Sequence, residues 1–128
     1  MILDSSAVIA ILLEERGFDR LLDRADTARN VSIGAPTLLE TKIALSRKQT
    51  GDASLRLDDF LERSRVRIVS FTAEHLTAAF GAFERFGKGR HPAKLNFGDC
   101  MSYAIARVSR QPLLYTGDDF SKTDIEAA

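Results

Sequence analysis

Cysteine occurs once, at Cys100, tryptophan is missing, and there are only three prolines and two histidines. A single thiol excludes an intrachain disulfide and any Cys-rich zinc site. The longest apolar run, Ala7 to Leu13, is seven residues, against the ~20 that a membrane helix needs, so no membrane span is expected. The opening Met1-Ile2-Leu3-Asp4 has neither a basic nor an apolar leader segment. A cytoplasmic protein is therefore expected. Charge of one sign is also missing, since 18 basic residues face 18 acidic ones. That balance argues against sequence-independent coating of nucleic acid but leaves room for a local basic patch.

What is present suits one globular domain over residues 1–128, with 45% hydrophobic and 28% charged residues and no repeat or linker. Four runs have strand character: Met1–Leu3, Val31–Ile33, Arg67–Phe71 and Leu113–Thr116. Helical spacing fills the intervals. Ala7 to Glu14 is apolar almost throughout, and Phe18, Leu21, Leu22 and Ala25 follow at i, i+3, i+4, i+7. A third helix is predicted from Pro36 or Thr37 to about Gln49, ending before Gly51, and a fourth from Ala53 to Arg63. The fifth, after Thr72, carries Leu76, Phe80 and Phe83 on one stripe, which reads as core. The sixth, Phe97 to Ser109, is expected to bury Met101, Ile105 and Val108. Strands alternating with helices imply right-handed crossovers and an α/β fold. The expectation is a three-layer α/β/α arrangement around a mostly parallel sheet of four to five strands.

In such sheets, binding chemistry gathers beyond the carboxyl ends of the strands. Four acids fall there. Asp4 follows the first strand, Glu40 lies one turn into the helix after the second, Asp99 opens the sixth helix, and Asp118 follows the fourth strand. Each has a local structural reading. Asp4 reads as an N-cap, Glu40 as half of a capping box with Thr37, Asp99 as a charge on a helix dipole, and Asp118 as a turn residue. Together they read differently. Two carboxylates ~4 Å apart repel by about 4 kcal/mol at an effective dielectric near 20, so a cluster of four calls for a cation. Oxygen ligands without paired His or Cys suit Mg²⁺, with Mn²⁺ as the alternative. Phosphodiester hydrolysis is the natural reaction of such a centre.

Arg85, Lys88, Arg90, His91 and Lys94 fall within ten residues. The plain reading is a solvated, Gly-punctuated loop; beside an acidic centre the same loop would hold substrate phosphates. His91 has no second His at ligand spacing, His75 reads as structural, and Cys100 as a small buried hydrophobe. An aspartyl-phosphate phosphatase is disfavoured because Ser6 stands where a second Asp is needed. A receiver domain is disfavoured because Lys122 sits too near the chain end.

The ordered set Met1-Ile2-Leu3-Asp4-Ser5-Ser6-Ala7, Glu40, Leu95-Asn96-Phe97-Gly98-Asp99-Cys100 and Leu114-Tyr115-Thr116-Gly117-Asp118-Asp119-Phe120 resembles the PIN-domain family. The segments Gly87-Lys88-Gly89-Arg90-His91 and Phe120-Ser121-Lys122-Thr123-Asp124-Ile125 resemble its VapC-type toxins. The resemblance implies an Mg²⁺-dependent ribonuclease that cuts tRNA or rRNA. It also implies an inhibitory VapB-type antitoxin and pairing as a homodimer. Asp4 and Asp99 would bind the ion, Asp118 would complete the acidic site, and Glu40 would hold a metal-bound water or a second metal. Ser6 would orient the site, with Thr116 in a similar supporting part. Asp119 competes with Asp118, and the Thr-x-Asp spacing favours Asp118. The short segment after Ile125 puts a complete fifth strand in doubt. From another class stands a rival reading: a catalytically inactive PIN-like module that docks RNA or protein.

Overall fold

A computed structural model describes residues 1–47 and 52–128. The chain runs β1 (Ile2–Leu3), α1 (Ser5–Leu12), α2 (Phe18–Thr27), β2 (Ser32–Gly34), α3 (Ala35–Arg47), α4 (Ala53–Arg63), β3 (Arg67–Val69), α5 (Ala73–Phe86), α6 (Phe97–Ser109) and β4 (Leu113–Leu114). A 3₁₀ turn, Phe120–Lys122, follows. The four strands pair parallel in the order β3-β2-β1-β4. The predicted end of the third helix at Gln49 and its stop at Gly51 lie outside the described residues.

Two-residue strands suffice because each one splits its side chains between two cores. Ile2 and Leu113 face one cluster with Ala79, Ala82, Phe86, Tyr103 and Ile105. Leu3 and Leu114 face the other, with Val8, Ile11, Ile33, Leu57 and Phe60. Alternation along a strand sends neighbours to opposite faces, so β1, β2 and β4 are buried between helix layers in an α/β/α arrangement, while the edge strand β3 leaves Ile68 59% exposed. Burying each Leu or Ile contributes roughly 1.5–3 kcal/mol. Gly34 is where β2 and α6 approach most closely, since a Cβ there would stand 2.8 Å from Ile105 Cγ1.

Element boundaries depart from the expected ones in instructive places. Three of the four strand runs shorten, the second shifts by one residue to Ser32–Gly34, and α1 starts at Ser5, directly behind Asp4. Thr37 caps nothing. It lies inside α3, which begins at Ala35, and its hydroxyl pairs with Ser102 at 3.1 Å in the core. The capping-box reading of Glu40 is thereby corrected. The stripe expected to bury α5 is also corrected: Leu76 and Phe80 are each 60% exposed. The buried stripe is His75, Ala79, Ala82 and Phe86, because alanines let α5 approach α6 closely. In α6, Ile105 and Cys100 are buried as expected, Met101 and Val108 are only half-buried, and Ser102, Tyr103, Ala104 and Ala106 are buried as well. α6 is wedged between α5, α3 and the sheet, and it leaves Phe97 and Arg107 facing outward.

The chain end adds a single parallel bridge, Leu113↔Ala127, outside β4. Asp124 anchors this segment: Tyr103 Oη donates to its Oδ1 at 2.7 Å and Arg85 Nη2 to its Oδ2 at 3.0 Å. Arg85 is therefore engaged in structure rather than in the neighbouring basic loop.

Candidate active site

Strand order reverses at β1, with β2 on one side and β4 on the other. In a parallel sheet that reversal opens a crevice at the carboxyl end, and Asp4 stands directly at its base. Asp4 is 3% exposed. Its amide donates to Leu114 O at 2.9 Å, which ties it to β4. Its Oδ2 accepts from the Ser6 amide at 2.9 Å and from the Ser6 hydroxyl at 2.5 Å. The same hydroxyl accepts the Thr116 N–H at 3.1 Å. Ser6 thus bridges Asp4 to the loop after β4, and Thr116 contributes through its backbone. Asp4 is an N-cap whose second Oδ is free of these bonds.

Asp99 enters from α6. Its carboxylate accepts from the Asn96 amide at 2.8 Å while its own amide donates to Asn96 Oδ1 at 3.0 Å, a reciprocal cap that fixes the first turn. Burial, and then the charges of Asp4, Asp119 and Glu40, push the Asp99 carboxyl up to about 6, against the pull of the Asn96 amide. Glu40 enters from α3. Its carboxyl is raised by burial first and by Asp4 second, with the Ser5 hydroxyl pulling the other way. The Glu40 carboxylate lies against Gly98, where a Cβ would stand 2.5 Å from Oε2.

Four elements therefore bring acids to one crevice. Between the adjacent candidates on the last loop, it is Asp119 whose charge reaches Asp99, whereas Asp118 acts on Tyr115. Asp119 stands at the start of the 3₁₀ turn in helical conformation. Sequence spacing carried no signal of that difference, because one residue of rotation in a turn decides it. Among the described residues no three His, Cys, Asp or Glu side chains are already close enough to close round one ion. In kind, however, the donors fit a hard divalent cation. They are all carboxylate oxygens, and Asp99 and Glu40 are raised by burial first and by their acidic neighbours second.

The basic loop leads straight into α6. Lys88 N donates to Leu95 O and Leu95 N to Phe86 O, both at 3.0 Å, closing the loop at its neck. Lys88, Arg90 and Lys94 are exposed, and Arg90 lies over the Phe83 ring at 5.3 Å. His91 is half-buried edge-on to Phe86, its Nδ1 accepting from the Ala93 amide at 3.1 Å. His75 is structural, bonded through Nδ1 to Thr72 at the start of α5. Cys100 is buried, and burial with the nearby Asp99 holds its thiol up at about 11. On the far side of α6, Leu76, Phe80, Phe83, Phe97 and Met101 line an apolar groove of about 320 Å³.

A three-layer parallel sheet with carboxylates from separate elements at its switch point defines a class, and the chain matches the PIN domain family model over residues 1–126. The chain belongs to the PIN domain family. Within it, the chain is similar to Ribonuclease VapC36 of Mycobacterium tuberculosis (strain ATCC 25618 / H37Rv), with 43% identity over 127 residues, 98% of this chain and 91% of the relative. It is thus a member of the VapC branch of that family. Its fold is similar to that of Mycobacterium tuberculosis VapC20, described as a sarcin-ricin loop cleaving toxin. The TM-score is 0.78 at 18% identity, over 99% of this chain and 97% of that one. It is also similar to VapBC2 from Rickettsia felis, solved bound to a DNA fragment from their promoter. Here the TM-score is 0.77 at 15% identity, over 99% and 96% of the two chains.

Proposed function

We propose that the chain, acting as one nuclease domain over residues 1–128, is an Mg²⁺-dependent endoribonuclease. It would be the toxin of a type II toxin–antitoxin pair, cutting tRNA or rRNA so that translation stops. The observation that carries this reading is that Asp4 stands at the carboxyl end of β1, where the strand order reverses, while the Glu40 carboxylate lies against Gly98 beside Asp99. Asp4 and Asp99 would hold the ion, with Mn²⁺ able to satisfy the same donors. Asp119 would be the fourth acid, with Asp118 as its neighbouring rival. Bound there, the ion supplies charge neutralisation at the scissile phosphate and a more acidic water. The chain's own part is positional. Ser6 holds Asp4 at a single oxygen, Asn96 holds Asp99, and Glu40 with its raised pKa takes a proton at Oε from the attacking water. Lys88, Arg90 and Lys94 would hold RNA phosphates beside the acids, with His91 supporting the loop from within.

A VapB-type antitoxin and a second copy of the chain are the proposed protein partners, in the cytoplasm. The apolar groove supports pairing of copies. An isologous contact needs a knob and a hole on the same patch, and Phe97, 80% exposed, stands out from the groove's own wall. No helix among the described residues is long and apolar enough to cross a membrane. Sedimentation of the wild type and Phe80→Glu tests the pairing; equal masses would remove the groove from it.

The main experiment is cleavage of total cellular RNA by the purified wild type and by Asp4→Asn, each with Mg²⁺ and with EDTA. Cutting that needs both the ion and Asp4 is expected, and the fragment ends identify the target. Intact RNA in all four reactions, with no thermal stabilisation by Mg²⁺, would favour the inactive docking module instead.

A further inference from the structure

The charge balance of the sequence conceals a separation. At the edge of the sheet opposite the carboxylates, α2 and α4 end and β2 and β3 begin, and a cavity of about 690 Å³ opens between them. Arg29, Arg63, Arg65 and Arg67 line it, with Asp26 the one acid among the lining residues. Asp26 accepts from the Ser64 hydroxyl at 3.1 Å, and Arg63 pairs with Asp59 at 3.1 Å. Arg29, Arg65 and Arg67 meet no carboxylate within ion-pair distance among the described residues. Arg67 makes a long 3.4 Å bond to Asn30 Oδ1. Several guanidinium groups around one concavity repel each other and attract a multivalent anion.

Two local roles account for part of this. Cations at helix C-termini offset the dipole, which covers Arg63 and Arg29, and a charge on the edge strand β3 keeps it from pairing, which covers Arg67. The first also covers the charge of Arg65, but neither explains its backbone. Its φ is +48°, in the position just past α4 where Arg65 N donates to Glu62 O at 3.1 Å and Val66 N to Leu61 O at 2.9 Å. Glycine takes that conformation without strain, and an arginine there keeps a planar fork of donors at the cost of it.

We infer that this pocket binds phosphate oxyanions through Arg29, Arg65 and Arg67, supplied by an RNA backbone or by a free polyphosphate. Guanidinium forks match phosphate oxygens in pairs. The strands between the two edges are two or three residues long, at about 3.3 Å per residue, so one folded RNA spans both.

The test uses the full chain carrying Asp4→Asn, without divalent ions, titrated separately with a labelled RNA hairpin and with inorganic pyrophosphate. Arg29→Ala with Arg67→Ala should weaken RNA binding about tenfold or more and lower the salt slope by about two. Arg65→Gly should raise Tm yet weaken binding, opposite to what a purely structural arginine would do. Loss of pyrophosphate binding with RNA binding unchanged assigns the site to free polyphosphate, and the reverse assigns it to RNA. Unchanged affinities for both overturn the proposal. Cleavage of a short RNA by wild type with Mg²⁺, too short to reach the arginines, tests the ribonuclease reading separately.

Discussion

The carboxylate of Glu40 rests on the bare backbone of Gly98, one residue before Asp99 in the first turn of α6. A Cβ at 98 would stand 2.5 Å from Oε2 and 2.7 Å from Oε1. Since the obstacle is the far end of a flexible side chain, Glu40 moves and the helix does not. Gly98→Ala should therefore keep or raise stability, by up to about 1 kcal/mol from helix propensity. Cleavage should fall about tenfold or more. A variant that is both as stable and as active as wild type would detach Glu40 from the chemistry.

Ser6 joins Asp4 to Thr116 through one hydroxyl. Ser6→Ala leaves a buried carboxylate short of a donor and the Thr116 amide without its acceptor, at roughly 1–2 kcal/mol of stability. The larger expected effect is on cleavage, because Asp4 then keeps only the amide of residue 6 to hold its Oδ2. Thermal melts and initial rates in parallel check this; a loss of stability with rates intact would make Ser6 structural.

Folding raises the Asp99 carboxyl to about 6 from 3.8. A carboxyl raised in the native state binds its proton more tightly there, so stability falls as pH rises from about 4 to about 6 and levels off above. Glu40, raised too, acts in the same direction. In EDTA the loss should be on the order of 1–2 kcal/mol after solvent screening, and Asp99→Asn should flatten it. Added Mg²⁺ should stabilise more at pH 7.5 than at pH 5, where protons compete. Melting temperature against pH, with and without the ion, reads all three.

Asp119 acts on Asp99 and Asp118 on Tyr115. Asp119→Asn should therefore cost more cleavage and more Mg²⁺ affinity than Asp118→Asn. The opposite ranking would return the fourth role to Asp118.

Much of the architecture was legible beforehand, because alternating strands and helices leave a chain this long few topologies. The acids at Asp4, Glu40 and Asp99 were legible as well, each placed by its distance from a strand or helix start. Illegible were the features set by neighbours distant in sequence. The α5 stripe was misread because Leu76 and Phe80 look like core while alanines make the contact. The capping box at Thr37 was misread because Ser102, 65 residues away, claims the hydroxyl.

By itself the sequence determined the α/β class, the parallel sheet and the acids at its carboxyl edge, since periodicity and strand-end position are local properties. Only the tertiary structure decided that Ser6 bridges Asp4 to the loop after β4, that the charge of Asp119 bears on Asp99, and that the arginines gather at the opposite edge. Those relations depend on which side chains three-dimensional packing brings within a few ångströms, and no spacing along the chain encodes that.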